Sequence, residues 1–288
     1  MNMRLGLAGA LIPRDDAAIT PALALQCASL GLRGLVTHFT TPPEVLAGHR
    51  GERVRAVLED AGLRIVQATG YNPLLIHPDD AVRDVELARL RSAFAAAQSL
   101  GAEMIITGCG SHHPSFFYGP AAANHTERAR ARLVQSLRLA APWAEASGIL
   151  LALECHVLTT LDSPAHIRAI LEAVGSPWVR ANFDPVNLIG DLPTLYGNAA
   201  AMLNMREELG PYYAPSAHIK DIAALPELVL HLAEAPPGEG LLDYAAFFEV
   251  CRVLGNGAAL IVEHLNIEQL DPALAFVKAA ARRHGIVL

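Results

Sequence analysis

The chain has 288 residues, 52% hydrophobic and only 18% charged, so it can bury a large core and lacks the composition of a disordered chain. Its net charge of −7, with lysines and arginines scattered along the sequence, leaves no basic stripe to track a phosphate backbone and argues against nucleic acid as a partner. The four cysteines, Cys27, Cys109, Cys155 and Cys251, form no CxxC pair; this argues against a disulfide framework or a thiolate zinc site and fits a reducing, cytoplasmic location.

The opening "MNMRLGLAGALIPRDD" has one basic residue before a short apolar stretch, and Arg14, Asp15 and Asp16 stand where a leader would be cleaved. It therefore reads as a first core strand, "RLGLAG" (4–9). Seven further apolar runs follow in chain order: "GLVTH" (34–38), "RIVQATG" (64–70), "EMIITG" (103–108), "LLALE" (150–154), "VRANFD" (179–184), "YAPSAHIK" (213–220) and "ALIVEH" (259–264). Helical periodicity fills the intervals, as in "DVELARLRSAFAAAQSLGA" and "HTERARARLVQSLRLAAPWAEASG", which predict helices closing on Gly101 and Gly148.

The runs are continuously apolar rather than alternating, as expected of parallel strands covered on both faces. No linker divides the sequence, and no apolar run reaches the 18 or more residues of a membrane span. Eight strand–helix units predict an α/β fold, a single (β/α)8 TIM barrel domain over residues 1–288. A doubly wound open sheet is the alternative, but no GxGxxG follows the first strand. The aromatic, proline-rich stretches "PSFFYGPAAANH" (114–125) and "PYYAPS" (211–216) are the loops expected to shape a pocket.

The C-terminal strand ends of such a barrel form its mouth. Four consecutive strands deliver Glu154, Asp184, His218 and Glu263 there. Any one of these alone reads as a helix cap, a solvated loop residue or a core histidine. Together they gather three carboxylates and an imidazole around one point, where a divalent cation would offset their repulsion. This donor set suits Mn²⁺ or Mg²⁺ and is compatible with Zn²⁺ or Co²⁺. It also explains why "ALIVEHL" can end an apolar run in a carboxylate, since an uncompensated buried charge is costly.

The motifs "LALE", "NFDPVN", "HIKD", "PPGEGLLDY" (236–244) and "LIVEH", in this order and spacing, resemble the xylose isomerase-like TIM barrels of the sugar phosphate isomerase/epimerase superfamily. That group includes ketose 3-epimerases, hydroxypyruvate isomerase and inosose dehydratase; the match covers roughly residues 150–265. By position, the resemblance implies one divalent metal on Glu154, Asp184, His218 and Glu263, with Glu154 and Glu263 as the acid/base pair. It thus implies an isomerase or epimerase acting on a small carbohydrate or its phosphate, and a homodimer or homotetramer by analogy. A lyase or dehydratase on a keto-sugar or keto-inositol is the alternative, because both reactions begin by removing a proton beside a carbonyl. A phosphodiesterase on this barrel would need more histidines at the first three strand ends, where only His38 is found, and a basic surface.

Five further residues are candidates for substrate contact. Asn187 replaces the histidine that ketose 3-epimerases often carry three residues after the strand-6 aspartate; it can bond a hydroxyl but cannot take charge. Lys220 could hold a substrate oxygen or phosphate, or simply be an exposed strand-end charge. His156 could orient substrate or support a ligand. His112, beside His113, and Glu239, in a Gly/Pro loop, could each meet substrate or only water. His264, following a ligand, should point away from it and make a supporting bond.

Overall fold

The computed structural model describes residues 1–288 and closes eight parallel strands into a barrel. In chain order the strands are β1 (Arg4–Ala8), β2 (Gly34–Thr37), β3 (Arg64–Ala68), β4 (Met104–Thr107), β5 (Leu150–Leu153), β6 (Val179–Phe183), β7 (Tyr213–Ile219), β8 (Asp221–Ala224), β9 (Leu232–Ala235) and β10 (Ala259–Val262). The wall runs from β1 to β7 and then β10, which pairs back onto β1. β8 and β9 form a separate antiparallel hairpin, absent from the predicted elements, inserted between the last two wall strands. The helices are α1 (Pro21–Ser29), α2 (Pro43–Leu46), α3 (His49–Asp60), α4 (Asp80–Leu100), α5 (Glu127–Ser147), α6 (Pro164–Val174), α7 (Leu192–Tyr196), α8 (Asn198–Leu209), α9 (Tyr244–Cys251) and α10 (Ile267–Arg283). None is long and apolar enough to cross a membrane.

Local chemistry sets the helix ends. Thr20, Thr126 and Ser163 accept backbone N–H groups at the starts of α1, α5 and α6, while Gly101 and Gly148 close α4 and α5 in the left-handed conformation, as the periodicity predicts. Strand alternation then sorts the core. Leu5, Leu35, Ile105, Leu151, Phe183 and Leu260 belong to the large cluster shared with the helices. Val36, Val66, Met104, Ile106, Ala152, Ala214, Ala259 and Ile261 form a second, smaller cluster. Alternation places these on the inner face of the wall. The lumen is narrow enough to demand glycine: a Cβ on Gly6 would sit 2.3 Å from Ile261 Cδ1, and one on Gly34 2.6 Å from Val66 Cγ2.

This inner register positions the mouth residues. Residues two apart on a strand share a face. Ala152 is therefore followed inward by Glu154, Asn182 by Asp184, Ser216 by His218 and then Lys220, and Ile261 by Glu263. The stretch "PYYAPS" does line a cavity, of about 360 Å³, with Pro211 and Tyr212, but not at the mouth. It lies at the start of β7, at the opposite end of the strand from His218, where Tyr213 packs on Phe183 and Tyr212 bonds Glu172.

Candidate metal centre

Glu154, Asp184, His218 and Glu263 each present a ligand atom, and these atoms all lie within 4.8 Å of one another. Glu154, Asp184 and Glu263 directly follow β5, β6 and β10, and His218 lies in the last turn of the pleat of β7. The last three are almost wholly buried, and the Glu154 side chain is 18% exposed, opening the cluster toward the mouth.

His218 Nδ1 is 2.9 Å from Glu263 Oε2, 3.5 Å from Asp184 Oδ2 and 3.8 Å from Glu154 Oε1. Yet it makes no well-directed hydrogen bond, and neither does Asp184 Oδ1, while Asp184 Oδ2 is met only by the Lys220 ammonium at 2.9 Å. Buried acceptors are rarely left so, because the lost solvation goes uncompensated. The opposite ring nitrogen is engaged: Nε2 lies 3.0 Å from Gln67 Oε1. The Gln67 amide in turn donates to Asn182 Oδ1 at 3.3 Å and to Ser216 Oγ at 3.1 Å, which fixes its oxygen toward the ring. In neutral His218 the proton therefore sits on Nε2, leaving the Nδ1 lone pair facing the carboxylates.

Charge balance points the same way. The only fixed cation in the cluster is Lys220, 2% exposed, with Nζ 2.7 Å from Glu263 Oε1, 2.9 Å from Asp184 Oδ2 and 3.1 Å from Glu234 Oε1. It is thus an internal counter-ion. One divalent ion together with Lys220 would neutralise the three carboxylates, and the carboxylate oxygens and the Nδ1 lone pair supply hard and borderline donors suited to it. The residues fit the metal that the resemblance implies.

Without an ion, protons take up the slack. Burial acts to lower the His218 pKa, but the charges of Glu263 and Asp184 prevail and lift it to about 10. The two glutamates are driven apart. Burial and the Glu263 charge raise the Glu154 pKa. Burial also works to raise that of Glu263, but His218 and Lys220 hold it well below the ordinary range. Tyr118 donates its hydroxyl to Glu154 Oε2 from the β4–α5 loop and packs edge-on against Phe117 at 4.8 Å.

Not every sequence candidate joins the cluster. A cavity of about 260 Å³ beside it is lined by His156, Asn187, Val157, Leu230, Leu232 and Glu234, among others. His112 instead lines a different cavity, of about 360 Å³, with Arg128 and Arg132 at the start of α5. His38 meets Arg14 Nη2 at 2.7 Å, away from the cluster. Glu239 is exposed, and its side chain makes no hydrogen bond. Its segment serves Asp221, which accepts from the backbone of Gly238 and Leu242 and from Tyr244 Oη, tying the hairpin to the start of α9.

Sequence reading missed Glu234, a third carboxylate that reaches Lys220 beside Asp184 and Glu263. It also missed its link to His264, whose Nδ1 lies 2.6 Å from Glu234 Oε2. Glu234 sits on the unpredicted hairpin, and its only local signal was an acidic residue in an apolar stretch. Gln67, Asn182 and Ser216 were equally hidden among strand residues.

A family model described as the xylose isomerase-like TIM barrel matches residues 25–282. The chain is 24% identical over 203 residues to the putative L-ribulose-5-phosphate 3-epimerase SgbU of Escherichia coli K12, covering 70% of this chain and 65% of that protein. Among solved structures it is similar to D-psicose 3-epimerase with D-tagatose from Clostridium cellulolyticum H10, with a TM-score of 0.71 at 16% identity over 98% of both chains. It is also similar to a xylose isomerase-like TIM barrel protein from Mycobacterium smegmatis in complex with magnesium, with a TM-score of 0.69 at 19% identity, covering 96% of this chain and 97% of that one. The closed barrel and the extent of the family match establish that this chain belongs to the xylose isomerase-like TIM barrel family.

Proposed function

We propose that the protein is a divalent-metal-dependent isomerase or epimerase of small ketose sugars, moving a proton between the substrate and Glu154 and Glu263. The observation that carries this reading is geometric: Glu154 and Glu263 approach from β5 and β10 and meet Asp184 and His218 with ligand atoms all within 4.8 Å of one another, so two carboxylates able to carry a proton share one metal-binding point.

Glu154, Asp184, His218 and Glu263 would hold the metal, Mn²⁺ or Mg²⁺ before Zn²⁺ or Co²⁺ on their donor atoms. When bound, it supplies positive charge against the substrate oxygen where charge collects as a neighbouring carbon loses its proton. The remaining steps belong to the chain. Glu263 accepts the proton at a carboxylate oxygen, and Lys220, paired with Oε1, keeps that carboxylate ionised beforehand. Glu154 reaches in from β5, two wall strands away from β7, and returns a proton, with the Tyr118 hydroxyl fixing the orientation of its carboxyl. His156 and Asn187, in the adjacent cavity, orient substrate hydroxyls.

The match to a protein named as an epimerase and the resemblance to D-psicose 3-epimerase support the reading. Incubation of the metal-loaded protein with a ketose panel in D₂O tests it. Carbon-bound deuterium without loss of water is expected. Deuterium uptake accompanied by dehydration would instead indicate a lyase, and failure of every ketose to exchange would overturn the reading.

A further inference from the structure

The cavity beside the metal centre carries more information about the substrate than the cluster itself. It is bounded by the segments that follow β5, β6 and β7, and so opens at the C-terminal face of the barrel. Seven of its eleven lining residues are apolar, among them Val157, Ile189, Leu230 and Leu232. The polar ones are few and directed. The Leu158 backbone N–H donates to His156 Nδ1 at 3.2 Å, which puts the ring proton of neutral His156 on Nε2 as a donor. The Asn187 side chain, 7% exposed, has no hydrogen-bond partner in the protein.

What would recognise a phosphate is missing from this lining. No lysine or arginine contributes to it, and its one charged residue is the carboxylate of Glu234. The single nearby cation, Lys220, is enclosed by Asp184, Glu263 and Glu234. The backbone amides of Val157, Leu158 and Ile189 are already bonded within the protein. Arg128 and Arg132 line the other cavity, which shares no residue with this one. A phosphate ester here would lose its hydration and meet no cation of the chain, only the side chains of His156 and Asn187.

We infer that the substrate is an unphosphorylated keto-sugar whose end remote from the reacting carbons is apolar, as in a terminally deoxygenated ketohexose. The methyl terminus lies against Leu230, Leu232 and Ile189, and the hydroxyls meet His156 and Asn187. This inference rests on the proposed isomerase or epimerase reading and narrows it to one substrate class.

The test compares three compounds on the metal-loaded protein: a ketohexose, its 6-deoxy analogue and its 6-phosphate. A methyl-accepting apolar pocket discriminates by about 10-fold to 200-fold. The 6-deoxy compound should therefore exceed the parent in kcat/KM by about tenfold, and the phosphate should fall about a hundredfold below the parent. A phosphate equal to or better than the parent overturns the inference. If no ketose is turned over, the proposed reaction fails, and the same three compounds titrated into the metal-loaded wild-type protein still decide the substrate class. Tightest binding of the 6-deoxy compound supports it; tightest binding of the phosphate, or no binding by any, overturns it. Leu230, 48% exposed, tolerates replacement, and Leu230→Lys should raise the phosphate relative to the 6-deoxy compound by about tenfold. An unchanged ratio would show that this cavity is not where the sugar terminus lies.

Discussion

Gln67 on β3 holds His218 on β7 from beneath: its side-chain oxygen lies 3.0 Å from Nε2 of a ring 151 positions further along the chain. The bond selects which imidazole nitrogen faces the three carboxylates. Gln67→Leu removes that acceptor and should weaken divalent-metal affinity by about 10-fold to 100-fold, the usual consequence of losing a partner behind a ligating histidine. Calorimetric titration of the metal-free variant with Mn²⁺ would measure it. An affinity within twofold of wild type would mean that the ring is oriented by packing alone.

Metal binding should release protons. In the metal-free protein His218 has a pKa of about 10 and is protonated at pH 7, whereas a ligating imidazole must be neutral. Titrations at pH 7 in buffers of different ionisation enthalpy should report about one proton leaving per ion bound. Removing the metal should lower the melting temperature by linkage.

Either glutamate should be indispensable for turnover. Glu154→Gln and Glu263→Gln keep the shape of the side chain but cannot shuttle a proton, so kcat should fall by about 10² to 10⁴. Far-ultraviolet circular dichroism should be unchanged, since residues at the mouth serve chemistry more than barrel stability.

Lys220 predicts a conditional stability defect. Lys220→Met leaves Asp184, Glu263 and Glu234 facing one another without their shared cation. Breaking a buried pair by deleting one partner costs about 3–5 kcal/mol. The loss should be seen in metal-free protein and shrink when a divalent ion is added, because the ion replaces much of the missing charge. Chemical denaturation with and without Mn²⁺ separates the two cases.

Asp16 gives the protein an acid-sensitive fastening far from the mouth. Its buried carboxylate accepts from Arg50 Nε at 2.6 Å and from Thr41 Oγ1 at 2.5 Å, joining the β1–α1 segment to α3. Burial pushes its pKa up, but the bonds from Arg50 and Thr41 and the charges of Arg50 and Arg53 outweigh this and lower it. A lowered folded-state pKa means that the contribution is present above the unfolded value, about 3.9, and is lost as pH falls through the folded one. Asp16→Asn should cost about 1.5–3 kcal/mol at pH 7, and the gap from wild type in melting temperature should close below about pH 4.

The barrel was legible because its signals are local. Most wall strands are short runs rich in Val, Ile and Leu, and each wall strand falls within its predicted span, as with β5 at 150–153 inside 150–154. The four clustered side chains were legible because alternation carries one face of each strand outward to its end. The hairpin was not, because β8 and β9 are four-residue, alanine-rich segments whose pairing depends on Asp221 gripping Gly238, Leu242 and Tyr244. Glu234 and Gln67 were hidden for a related reason. Each acts through a partner distant in sequence, Lys220 or His218, and no periodicity encodes such a meeting.

The hairpin stands as its own two-stranded sheet, while the side chains proposed to move protons are rooted in the wall. Residues 222–235 can therefore be shortened, exchanged or recoloured in polarity with the strands of the barrel untouched, so long as Glu234 is kept. On the proposed reading, reactivity resides on the wall strands, while the substrate pocket is shared between the hairpin, with Leu230 and Leu232, and the segments after β5 and β6, with His156 and Asn187.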